Sequence, residues 1–152
     1  MKMDKKELAQ YVAFMEEYCR VYKDFSALEQ EKLNLYLSGH YFDLDEFVKR
    51  EQVMVLKTQG LEQRRVRLHS GLQTSAKTLK ELIDVIDDAD LQQRLRDVYH
   101  ELSGYVQLVK ANNERCQEIV KEKLELLDKS KDDLLREGKL KNYSSNLMNR
   151  SI

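Results

Sequence analysis

The stretch DKKELAQYVAFMEEYCRVYKDF, Asp4–Phe25, decides the fold class. Its first four residues, Asp4-Lys-Lys-Glu7, form a capping box: an oxygen acceptor at the helix start, and a carboxylate three residues on that can reach back to the cap amide. Behind it Leu8, Tyr11, Met15, Tyr18, Tyr22 and Phe25 recur at alternating spacings of three and four. In a helix of 3.6 residues per turn, that places all six on one face, the seam pattern of helix-on-helix packing. Leu28 and Leu35 carry the stripe on with a small slip, and Ser38-Gly39-His40 ends it, with Gly39 suited to the left-handed C-cap. The first helix is therefore about 34 residues, or about 50 Å.

Asp43-Leu-Asp-Glu46 is a second capping box after a turn too short for anything but an antiparallel neighbour. A strict three-four register from Leu44 meets Leu44, Phe47, Met54, Leu61, Leu68 and Leu72, interrupted by Glu51, Thr58 and Arg65. Long charged stems snorkel at a seam edge, so the register survives these interruptions. Gly60 costs about 1 kcal/mol inside a helix without ending it. Gly71 to Thr78 is rich in Gly, Ser, Thr and Gln and reads as a break. Thr78-Leu-Lys-Glu81 then caps a short helix through Leu82, Ile83 and Ile86, and Asp87-Asp88-Ala-Asp90 caps the next.

From Leu91 the strict register returns at Leu95, Val98, Leu102, Tyr105, Val109, Asn112, Cys116, Ile119, Lys123 and Leu126. Arg136 and Gly138 suit the closing end of this third long helix. Residues 139–152 are polar with isolated apolar side chains and read as a flexible tail. The expectation is an all-α chain: an elongated antiparallel helical bundle or coiled coil of three long helices plus one short helix. Residues 1–138 form one domain of it.

Composition narrows the function. The 152 residues carry 26 basic and 27 acidic side chains, so nothing in bulk charge draws the chain to nucleic acid or an anionic membrane. The densest basic patch, Arg64-Arg65-x-Arg67, reads as a solvated helix face. No apolar run is long enough to span a bilayer, and none follows the amino-terminal charges as in a secretory signal, which places the expected protein in the cytoplasm. Cys19 and Cys116 are 97 positions apart, with no neighbouring pair of metal type, and read as free thiols in packing positions. No cofactor is expected.

Candidates for chemistry fall short. A di-metal carboxylate site in a bundle needs paired Glu-x-x-His motifs, and the chain has one Asp97-x-x-His100. His40 belongs to a turn and His69 lies near the end of the second helix. Cys19 and His100 lack a third orienting group, and all five glycines are isolated, so there is no phosphate-cradling loop. The chain does not read as an enzyme.

Two features remain. Asn112-Asn113 interrupts the third long helix, where a polar seam residue sets register. After it Ile119, Val120, Leu124, Leu126 and Leu127, followed by Leu134 and Leu135, make an apolar stripe wider than one seam uses. On the pattern, Val120, Leu124 and Leu127 are surplus to a seam built on Ile119 and Leu126. Either another helix of the same chain or an external helix covers them.

Three segments together resemble the FlgN-type flagellar export chaperones over nearly the whole chain. They are the LYLSGHYFDLDEF turn (Leu35–Phe47), the short TLKELI element (Thr78–Ile83), and Asn113-x-x-Cys116-x-x-Ile119-Val120-x-x-Lys123-Leu124-x-Leu126-Leu127. The last is similar to the family's Asn-x-x-Asn-x-x-Leu-Leu-x-x-Ser-Leu pattern, with Cys116 at the usual second Asn and Lys123 at the usual small polar residue.

The resemblance implies a non-enzymatic chaperone of flagellar type III secretion. Such a protein binds hook–filament junction subunits and hands them to the export apparatus, with substrate binding attributed to the C-terminal helical region. Carried onto this chain, that implies partner contacts at Asn113, Cys116, Ile119, Val120, Lys123, Leu124 and Leu127. The tail residues Leu147, Met148 and Ile152 are placed over the same face when it is empty. The alternatives are a structural coiled-coil scaffold or homodimer, and a sister flagellar chaperone for the filament cap.

Overall fold

Four helices carry the structure, a computed structural model that describes residues 3–40 and 44–129: α1 (Lys5–Ser38), α2 (Leu44–Gly71), α3 (Leu79–Val85) and α4 (Ala89–Lys129). The chain is all-α, and no strand occurs among the described residues. The expected cap at Asp43 lies outside the described residues. So does everything expected beyond Lys129: Leu134, Leu135, Arg136 and Gly138, and the tail with Leu147, Met148 and Ile152.

The predicted helix ends are built as the sequence dictates. Asp4 Oδ1 accepts from the amides of Lys6, at 2.8 Å, and Glu7, at 3.4 Å, opening α1. At the other end Gly39 takes φ +74°, while the amides of Gly39 and His40 bond back to the carbonyls of Tyr36 and Leu35. Thr78 Oγ1 caps α3 through the Glu81 amide, and the Glu81 carboxylate returns the bond one residue early, to the amide of Lys77. Asp88 Oδ1 accepts from the Leu91 amide at the start of α4. The segment between α2 and α3 is irregular, turns at Gln73 with φ 54°, and is held by His69, whose Nε2–H donates to the Ala76 carbonyl at 2.7 Å.

The chain packs as two compact units. One takes the residues up to Ser26 together with Gln52–Gln107, the other Ala27–Glu51 together with the residues from Leu108 on. In the first unit Tyr11, Val12, Met15, Leu82 and Leu95 are wholly enclosed, with Leu8, Tyr18, Leu72, Ile83, Leu91 and Val98 around them. Each such side chain contributes about 1.5–3 kcal/mol on burial. Tyr11 meets the edge of His69, and Tyr18 Oη donates to Glu62, so α1 and α2 run antiparallel here. The Glu16–Arg94 and Cys19–Glu101 pairings set α4 parallel to α1, an up-down-up bundle.

In the second unit Leu33, Tyr36, Leu44, Cys116, Ile119 and Val120 form the core. Here Glu31 pairs with Arg50 and Gln30 with Asn112, while Tyr36 further along α1 clusters with Leu44 and with Cys116 and Ile119, which gives antiparallel and parallel senses in turn.

Candidate functional site

Two features of the second unit stand out: a buried charge cluster, in which the sequence reading marks only Glu51, and the late stripe of α4. The cluster comes from α1 and α2. Glu51 is fully enclosed, with Glu29 and Lys32 beside it at 1% and 2% exposure. Lys32 Nζ lies 2.7 Å from Glu51 Oε2 and 2.9 Å from Glu29 Oε2, and it donates to Asn113 Oδ1 at 3.4 Å. The snorkelling expected of Glu51 is therefore corrected: its carboxylate turns inward because an ammonium is already there to receive it.

One cation faces two carboxylates. Burial drives Glu51 upward, the neighbouring Glu29 adds to this, and the bond from Lys32 only partly offsets it, so Glu51 keeps its proton far above the ordinary carboxylate range. Burial pulls the Lys32 ammonium the other way, but Glu51 and Glu29 together outweigh it and leave that group raised. The cluster is thus one ion pair plus one retained proton. The Oε1 atom of Glu51 and the Oε2 atom of Glu29 have no other hydrogen-bond partner, so that proton has two oxygens to satisfy.

The sequence carried a signal for this cluster. Continued strictly from Phe25, the three-four spacing falls on Glu29, Lys32 and Tyr36, all buried, and α2 meets them with Glu51. Following the apolar letters to Leu28 and Leu35 instead hides the charges; Leu28 is buried but Leu35 only partly so.

Along α4 the structure redistributes the expected partner face. Cys116, Ile119 and Val120 are 3–6% exposed and packed with Leu33, Tyr36 and Leu44, while Leu124 and Leu127 are half-buried against the same cluster. Lys123 and Leu126 point outward, Leu126 at 56% exposure. Val120 is therefore no surplus; its own chain shelters it. The physical reason is helical drift. A straight helix lags a strict seven-residue repeat by about 20° per heptad, and the five heptads from Leu91 to Leu126 accumulate about 100°, one residue's turn. The seam has moved from Lys123 and Leu126 to Leu124 and Leu127. Asn113, expected as a partner contact, is committed to Lys32, and Asn112, expected to set the register, bonds to Gln30.

What remains available at this end of α4 is the open half of Leu124 and Leu127, flanked by Lys123 and Leu126. Such a surface can receive an apolar side chain. Elsewhere, burial pushes the Cys19 and Cys116 thiols up to about 11, and Cys19 donates to Glu101 rather than meeting His100, which is exposed.

A family model described as FlgN protein matches residues 3–149. The chain belongs to the FlgN family. Membership assigns it to the flagellar export chaperones and agrees with the all-helical fold. No curated protein and no solved structure matches the chain. Among the described residues of this FlgN-family chain, no helix is long and apolar enough to cross a membrane, and no group of three or more His, Cys, Asp or Glu side chains is arranged to hold a metal ion.

Proposed function

We propose that this FlgN-family protein is a non-enzymatic cytoplasmic chaperone for hook–filament junction subunits, which it holds before export and passes to the export apparatus. The family match over residues 3–149 carries the reading. An amphipathic segment of the cargo lies along the end of α4, with apolar side chains on Leu124 and Leu127 and its edge against Lys123 and Leu126. Cys116, Ile119 and Val120 serve as the floor beneath, and Asn113 stays with Lys32. This narrows the contact set expected from the family pattern. Ordering of the cargo segment on binding costs several kcal/mol, which keeps the complex releasable. Leu147 and Met148 compete for the same face when no cargo is present.

Calorimetric titration of a junction subunit into the wild-type protein and into Leu124→Glu tests this. Wild type binds with saturating stoichiometry and the variant at least about tenfold more weakly, with unchanged circular dichroism. Equal affinity, or no binding by wild type, rejects the proposal. Deleting residues 139–152 is expected to leave the fold intact and change the affinity.

A further inference from the structure

The sense of α2 within the first unit leaves one of its faces uncovered by the other described residues. From Gln52 to Gly71 its inward side is Thr58, Leu61, Arg65 and Leu68, buried or half-buried. On the opposite side stand Val53, Leu56 and Gly60, with Lys57, Arg64 and Arg67 at the rim. Val53 and Leu56, at 62% and 69%, are the most exposed large apolar side chains among the described residues. A Cβ at Gly60 would meet nothing within 4 Å, so no neighbour among the described residues requires a glycine in the middle of this helix. A second helix approaching closely would require one.

The rim has a sign. Between Gln52 and Gly71 the one acidic residue, Glu62, is spent on Arg65 and Tyr18 on the inward side. Lys57, Arg64 and Arg67 have no carboxylate partner among the described residues. Arg64 lies over the Phe14 ring at 5.1 Å, which fixes it in place without neutralising it. In a chain of net charge −1 this basic excess is local.

We infer that the outward face of α2, centred on Val53, Leu56 and Gly60 and rimmed by Lys57, Arg64 and Arg67, is a docking surface for an acidic amphipathic helix of a partner protein. The partner's apolar stripe covers Val53 and Leu56 and closes on Gly60, while its carboxylates meet the three cations. A second copy of this chain is the poorer occupant, since a two-fold contact sets the same cations against one another. The two bare apolar side chains at the centre favour protein over nucleic acid. This surface is separate from Leu124 and Leu127 and does not rest on the cargo reading.

The test is an NMR titration of the 15N-labelled full chain with a short synthetic amphipathic peptide carrying Leu at heptad seam positions and Glu elsewhere. A Lys-for-Glu counterpart and a single-stranded oligonucleotide serve as competitors. The acidic peptide is expected to shift amides between Val53 and Arg67 saturably and to bind more weakly as salt rises. Binding is also expected to drop about tenfold in Lys57→Glu/Arg67→Glu and in Gly60→Leu, with helicity retained. Four results would overturn the inference: no saturable shift in that stretch, equal binding of both peptides, displacement by the oligonucleotide, or a wild-type dimer that Leu56→Asp dissolves.

Discussion

Lys32 is the side chain on which the second unit's interior depends electrostatically. Removing it strands the buried Glu29 and Glu51 without their cation, so Lys32→Met is expected to lower stability by about 3–5 kcal/mol. Replacing all three side chains together (Glu29→Leu, Lys32→Met, Glu51→Leu) is expected to be neutral or stabilising by about 1–4 kcal/mol. Urea unfolding followed by circular dichroism separates the two outcomes. The retained proton adds a pH signature. Glu51 is raised to about 8 in the folded protein, mainly by burial, against 4.5 as its ordinary value. Between those two pH values the folded chain binds a proton that the unfolded chain has released, so stability falls as pH rises through the window. Below the window the contribution of Glu51 is fully present; above it, the contribution is lost. Unfolding free energies of wild type and Glu51→Gln across pH 4–9 should therefore diverge in that sense, and a flat difference would show that Glu51 titrates normally.

At the scale of elements, glycine separates what the turns need from what the helices tolerate. Gly39 sits at φ +74°, where an L side chain is strained, so Gly39→Ala should cost about 1–2 kcal/mol. Gly60 sits in an open helix interior, so Gly60→Ala should gain about 1 kcal/mol, and thermal unfolding of the pair reads both signs. Helix existence and ends were legible because caps and periodicity agree: Asp4, Gly39, Thr78 and Asp88 all act where their chemistry places them. The end of α4 was less legible, because a strict seven-residue repeat laid over five heptads loses a full residue to drift. That put Leu126 in the seam and Leu124 and Leu127 outside it, the reverse of the structure. The buried cluster was hidden for another reason: Glu29, Lys32 and Glu51 occupy seam positions but read as surface letters, and only their mutual pairing makes burial tolerable.

For the whole molecule, two compact units share three continuous helices, a division that an unbroken heptad pattern does not reveal. The second unit couples its fold to the proposed cargo face, because α4 serves both. Ile119→Ala should therefore destabilise by about 2–5 kcal/mol, as a core truncation does, whereas Leu126→Ala should stay within about 0.5 kcal/mol. Denaturant midpoints distinguish core from surface in this helix independently of any partner. Cargo engagement at the end of α4 can be read by amide hydrogen exchange of the chain with and without a saturating hook–filament junction subunit. Adding the subunit is expected to slow exchange from Cys116 to Lys129, an effect lost in Leu124→Glu. Exchange unchanged across that stretch while the subunit is demonstrably bound would contradict it.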